Sequence, residues 1–406
     1  MVLLEPLLAI VSSAVLGAAI VALLSCKPRY IAPWIGITVF SIVGIVWGTS
    51  YFQQWDIAIA LICASSGVGG YYAMTNRLLN LQGPRQLPEI NESQKSNPGH
   101  ISVVYVTHGE SEEYDQVAWA RQFKEFDHQE LRFIPYLARP FFFAILRNKY
   151  MKVGKSHHRS IHEVMMRKVK EELEKRKGND IRFYLSFLDD EPRPDVAAAK
   201  AFNEGARTII VCRVFLTTSN HTAEADDQVK SLRLEERGVR LRFTEPLWNS
   251  EKLRRSFLEK ANAIIPPEER ANTGILLVGH GQPHEWDLAF PTETEQEMKF
   301  REDLLKDFEK EGYRRENLSL AWMAFREPKV PDVVKAMASR GLKRIIYFSA
   351  AISAEAIHSQ SDIPELVAKA KVSKTTETVN MGAWNDHPLV IEAIREKIEE
   401  ALEVKE

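Results

Sequence analysis

Two histidines stand directly beyond β-like runs of this 406-residue chain: His108 after residues 101 to 106, and His280 after residues 274 to 278. A glycine follows each and lets other groups approach the imidazole closely. Imidazole changes charge near neutral pH, so it can accept a proton or hold a metal ion there. His221 and His358 follow two further β-like runs, 209 to 214 and 345 to 348. Glu191 and Glu327 lie in Glu-Pro turns. A carboxylate beside two imidazoles can hold a divalent metal loosely or relay protons. By residue type alone, each histidine also fits a structural role, and each glutamate a helix start where an acid suits the dipole.

The elements that must position these residues come in two copies. Glu191-Pro192 followed by Pro194-Asp195-Val196 recurs as Glu327-Pro328 followed by Pro331-Asp332-Val333, an offset of 136 residues. His221 recurs as His358 after 137, and Trp248-Asn249 as Trp384-Asn385 after 136. The first histidines are 172 apart, so the first copy carries about 36 extra residues between His108 and its Glu-Pro turn. A tandem duplication with one insertion follows. Within each copy β-branched runs alternate with long amphipathic stretches, which predicts an α/β fold of two doubly wound parallel-sheet lobes. Ligands of such sheets bind beyond the carboxyl ends of the strands, where these histidines stand.

Composition divides the chain differently. Residues 1 to 78 hold only five charged side chains: Glu5, Lys27, Arg29, Asp56 and Arg77. Three apolar runs, 3 to 25, 31 to 52 and 55 to 74, each approach the ~20 residues a membrane-crossing helix needs. They read as a retained three-helix anchor with no transport path, since no acid, base or histidine lies within the spans apart from their edges. Lys27 and Arg29 in the first loop, with Arg77 and Arg85 after the third span, put the body on the cytoplasmic side and the N-terminus outside. The expected domains are an anchor at 1 to 78, a linker at 79 to 100, a first lobe at 101 to 262 and a second at 273 to 403. The body has three more acids than bases, which excludes a nucleic-acid binder relying on bulk positive charge. Cys26, Cys63 and Cys212 have neither disulfide nor zinc-site spacing.

Three segments carry a resemblance: LLVGHGQ at 276 to 282, AWMAFREPKVPDVV at 321 to 334 and GLKRIIYFSAAISAEAIHSQSDIPELV at 341 to 367. They resemble the type II tetrapyrrole chelatases, the family of sirohydrochlorin cobaltochelatases and protoporphyrin ferrochelatases. The likeness covers 274 to 400 and, more faintly, 101 to 262. It implies insertion of a divalent metal into a tetrapyrrole held between the lobes, without nucleotide or other cofactor. The family's proton-accepting, metal-binding histidines fall at His280 and His358, with Glu327 beside them. His108, His221 and Glu191 are the first-copy equivalents. Many members have an acid three residues before the glutamate of this turn, where the chain has Ala324, which leaves the metal open. Asn220-His221-Thr222 lacks the Asp-Ile-Pro ending, so the second copy is expected to be the better-kept site.

Cobalt with sirohydrochlorin ranks first, iron with sirohydrochlorin or a porphyrin second, and nickel stays open. Arg301, Arg326 and Lys329 are candidates to meet substrate carboxylates. The insertion falls within 131 to 162, where nine large apolar residues between 133 and 146 precede or accompany seven bases, with no acid between 131 and 159. That pattern suits the interface of an anionic leaflet, and predicts a lip that opens the cleft to membrane-delivered substrate. Packing of the same segment on the lobe is the alternative. Two other functions compete. Thr107-His108-Gly109-Glu110 is similar to the start of the histidine phosphatases but has Thr where they need Arg. A non-catalytic membrane module that delivers metal or tetrapyrrole is the second. Since one chain supplies both lobes, no oligomer is required.

Overall fold

The computed structural model describes residues 4–50, 57–83, 85–91, 99–128, 134–177, 181–373 and 375–403. Residues 131 to 133 of the insertion, 52 to 55 between the second and third apolar runs, and much of the linker lie outside these. The chain forms two compact units, one of residues 1–86 and 113–155, the other of residues 87–112 and 156–406.

The first unit contains α1 (Leu4–Ser25), α2 (Ile31–Ser50) and α3 (Ile57–Leu79), with α1 packed against both others. With α2 counted from Pro28, all three are long and apolar enough to cross a membrane. Small residues let them approach: a side chain at Gly70 would collide with the Ala14 carbonyl. The same unit holds α4 (Gln116–His128) and α5 (Arg139–Val153), the latter formed by the insertion. Phe123 of α4 stacks on Phe143 of α5 at 5.6 Å. Arg147 of α5 donates to the Leu23 and Cys26 carbonyls at 2.6 and 3.3 Å, and Tyr114 and Gln116 donate to Ser25 O. These carbonyls end α1 and have no partner within the helix, so the donors satisfy them. The insertion, expected as part of the first lobe, therefore groups with the apolar helices.

The second unit holds both lobes. The first runs β1 (His100–Thr107), α6 (His158–Lys177), β2 (Ile181–Phe187), α7 (Pro194–Asn203), β3 (Ala206–Arg213), α8 (Asn220–Lys230), β4 (Arg240–Phe243) and α9 (Glu251–Asn262). A short α10 (Pro267–Arg270) leads to β5 (Thr273–Gly279), α11 (His284–Ala289), α12 (Pro291–Lys310), β6 (Leu318–Trp322), α13 (Val330–Ala338) and β7 (Arg344–Ser349). A π-helical turn (His358–Asp362), α14 (Ile363–Lys369), β8 (Glu377–Asn380) and α15 (Pro388–Glu403) complete it. Both sheets are four-stranded and parallel, in the orders β2-β1-β3-β4 and β6-β5-β7-β8. This shared order is the duplication in three dimensions, and both Glu-Pro bonds, Glu191–Pro192 and Glu327–Pro328, are cis.

The strands are buried on both faces, as parallel strands are when helices cover both sides. Val103 and Tyr105 point into a core that also takes Ile275, Leu277, Phe300 and Trp384, so one apolar cluster runs through both lobes. Val104 and Val106 face a second cluster with α7 and α8, and Leu276 and Val278 a third with α13 and α14. Continuous packing between the lobes fixes the two rows of strand ends relative to each other.

Candidate active site

His108 and His280 are the first residues beyond β1 and β5, at the carboxyl edges of their sheets. The next residue in each must be glycine. Gly109 and Gly281 have φ of +88° and +77°, and a Cβ would lie 2.6 Å from Phe187 Cβ in the first and collide with the Ala324 carbonyl in the second. The turn bends each chain back so that the imidazole Nδ1 meets its neighbour's carbonyl: His108 to Gly109 O at 3.0 Å, His280 to Gly281 O at 2.6 Å. A carbonyl only accepts, so Nδ1 donates in both.

His221 lies in the first turn of α8, whose start is fixed by a capping box between Ser219 and Thr222. His358 opens the π-helical turn and places its Nδ1 2.6 Å from Asp362 Oδ2, one turn later on the same face. The rings of His108 and His221 are 4.7 Å apart, and those of His280 and His358 5.4 Å. Trp286 of α11 stands edge-on to His221 at 5.7 Å and joins the two halves. Burial, reinforced by His358, pushes the His280 imidazole down to about 4. Burial also drives His221 well below the ordinary range, with His108 and His280 adding to it. Near neutral pH both are uncharged bases.

A carboxylate meets one histidine of each copy, supplied differently. Asp362 does so in the second; in the first, Asp189, just beyond β2, puts Oδ2 3.2 Å from His108 Nδ1. Such contacts orient a ring and make its other nitrogen a better ligand or base. The first copy's pair is thus as completely furnished as the second's.

The expected glutamates are not part of this group. Glu327 is 73% exposed and faces Lys329 at 3.9 Å. Glu191 is likewise exposed, and its carbonyl accepts from Arg159. Arg301 cannot meet substrate: it is 0% exposed, donates to Ala321 O at 2.9 Å, pairs with Glu297 and lies 3.9 Å over the Trp322 ring. Arg326 pairs with Asp287 at 3.0 Å, and Lys329 is taken up by Glu327. Among the described residues no three His, Cys, Asp or Glu side chains converge as a metal-holding set, so the trio of His280, His358 and Glu327 does not form. Besides Asp189 and Asp362, a further carboxyl near the histidines is Glu110, whose protonation is favoured by burial and opposed by Ser156, His358, Ile357 and His108. Its position two residues after His108 was the available signal, while Trp286 had none.

The ferrochelatase family model matches residues 143–402. No curated protein matches the chain in sequence. Among solved structures, SirB from Bacillus subtilis with Fe3+ superposes with a TM-score of 0.50 at 14% identity, over 74% of this chain and 95% of that one. The sirohydrochlorin chelatase SirB from Bacillus subtilis subspecies spizizenii in complex with cobalt gives 0.46 at 11%, over 74% and 95%. CbiX, described as the terminal enzyme for biosynthesis of siroheme in denitrifying bacteria, gives 0.42 at 14%, over 74% and 99%. At such identities the likeness is one of fold. The family model spans more than half of the residues, and the chain belongs to the ferrochelatase family.

Proposed function

We propose that the protein inserts a divalent metal into a tetrapyrrole in the cleft lined by His108, His221, His280 and His358, with cobalt and sirohydrochlorin as the preferred pair and iron second. The observation that carries this reading is the pairing of imidazoles at the strand ends, each pair with one ring braced by an aspartate. Insertion exchanges two pyrrole N–H protons for one M2+. A neutral His280 or His221 can accept a proton where a charged one cannot. Pairs of imidazoles hold a divalent metal loosely, which suits a metal that is substrate and must leave with the product. The reaction needs neither nucleotide nor resident cofactor, and both lobes of one chain supply the site without a second copy. The Fe3+ recorded with one structural neighbour supports iron as one of the candidate metals.

The three apolar helices anchor the enzyme with its lobes on the cytoplasmic side, by the positive-inside rule. Histidine phosphatase chemistry is disfavoured because Thr107 is buried and bonded to His162 at 3.1 Å, leaving no guanidinium before His108. A carrier that delivers pigment or metal is the remaining alternative. Anaerobic absorbance with sirohydrochlorin or protoporphyrin and each of Co2+, Fe2+ and Ni2+ decides between them. Multiple turnovers lost in His280→Ala/His358→Ala support the chelatase. Stoichiometric pigment binding with no metal entry above the uncatalysed rate overturns it in favour of the carrier.

A further inference from the structure

Glu110 ends the Thr-His-Gly-Glu segment of the first lobe, yet its strongest contacts reach elsewhere. Its Oε2 accepts the hydroxyl of Ser156 and, at 2.9 Å, the backbone N–H of Ile357, 247 residues further along the chain. Ser156 is fully buried and Ile357 nearly so, which shields both bonds from competing water. Ile357 immediately precedes His358, and its N–H lies at the start of the π-helical turn, where no earlier turn supplies an acceptor. Ser156 N also donates to Glu112 O at 2.9 Å, which fastens the two ends of the chain where the insertion leaves and re-enters this unit. One carboxylate oxygen thus holds the base of the insertion and the start of the helix that carries His358. Beside it, His157 N reaches Gln360 Oε1 at 3.3 Å, and His162 Nε2 lies 3.0 Å from Ser353 Oγ. All three links bind the first lobe to the segment 353 to 360. The matching residue of the second copy, Gln282, makes only local bonds among the described residues, to Asp287, Phe290 and Thr294. The lobe-to-lobe role belongs to Glu110 alone of the pair.

We infer that Glu110 is a positioning residue for metal insertion, which sets the placement of His358 by tying its helix to the chain at the base of the insertion. This rests on the proposed chelatase reading. A displacement of about 1 Å in a reacting group lowers rates by up to roughly a hundredfold without weakening substrate binding. Full-length protein in detergent with Glu110→Ala, Glu110→Gln or Ser156→Ala tests it. Two readouts apply: turnover with Co2+ and sirohydrochlorin, and the carbethoxylation rate of His358 relative to exposed His284, measured by peptide mass spectrometry. Glu110→Ala should lower kcat by roughly tenfold to a hundredfold with KM for the tetrapyrrole within about twofold, and change His358 reactivity at least about threefold. Glu110→Gln keeps an acceptor oxygen and should stay within about threefold of wild type in both readouts. Ser156→Ala should shift both in the direction of Glu110→Ala, by less, and serves if that variant does not fold. Unchanged kcat and His358 reactivity in Glu110→Ala overturn the inference, and so does a Gln variant as impaired as Ala. If wild type itself shows no turnover, the chelatase reading fails, while His358 reactivity still decides the role of Glu110.

Discussion

At His280 burial and a neighbouring imidazole act together against the charged ring, while the Gly281 carbonyl acts for it, and burial wins. The ring is therefore a base through the physiological range, and catalysis by proton acceptance should persist in acid until the pH approaches about 4. The pH profile of kcat/KM for Co2+ insertion checks this, and an acid limb centred near the ordinary value of about 6.5 would refute it. His280→Ala should lower kcat by about 10²- to 10⁴-fold with tetrapyrrole binding retained, as read by pigment titration. Beneath the site, His162 is held at about 3 by burial, with Nδ1 3.0 Å from Tyr105 Oη. Between that value and the unfolded chain's ~6.5, only the unfolded state takes the proton. Acidification through this window therefore removes stability, by up to about 1.4 kcal/mol per pH unit for this ring. His162→Gln should flatten the slope by that amount between pH 4 and 6 in urea unfolding, whatever it does to the stability at pH 7. The two histidine pairs at the strand ends were legible because each histidine follows a β-like run. Glu327 misled because it lies exposed beside Lys329, which no residue type announces.

Element α12 shows a signal that was present in the sequence and outweighed by residue type. Its buried side chains are Glu297, Phe300, Arg301, Leu304, Leu305 and Phe308, the three- and four-residue spacing of a core-facing stripe. Arg301 lies in the middle of that stripe, so its place was periodic core and not substrate rim. Burying the guanidinium is tolerable because Ala321 O, Leu277 O, Glu297 and the Trp322 ring surround it. Removing it leaves Glu297 buried beside Gly279 with its charge uncompensated. Arg301→Ala should cost about 3–5 kcal/mol in chemical unfolding. The double variant Arg301→Met/Glu297→Leu should recover most of that. A loss below about 1 kcal/mol in the single variant would show that the pair contributes little.

For the whole molecule, the two-lobe architecture was legible from landmarks repeating at one offset, and the three helices long and apolar enough to cross a membrane from three apolar runs. The grouping of the insertion with the apolar helices was not. Its anchor points are backbone carbonyls at 23 and 26, more than 120 residues from Arg147, and no side-chain pattern encodes a carbonyl partner. The insertion also keeps part of its apolar surface uncovered. Leu137, Phe141 and Ile145, spaced four apart, are 46, 54 and 52% exposed, and Lys149, Lys152 and Lys155 follow them. An apolar stripe leading into bases fits the boundary of an anionic leaflet. Unlike a deletion, Leu137→Asn/Phe141→Asn/Ile145→Asn spares Phe143, Leu146 and Arg147, which are buried within the unit. If the stripe receives membrane-delivered substrate, the triple variant should lose roughly tenfold in turnover of tetrapyrrole supplied in phosphatidylserine-containing liposomes. Its turnover of detergent-dispersed tetrapyrrole should stay within about twofold of wild type. An equal loss in both assays would assign the stripe to internal packing, because detergent supplies substrate without the bilayer surface on which a lip depends.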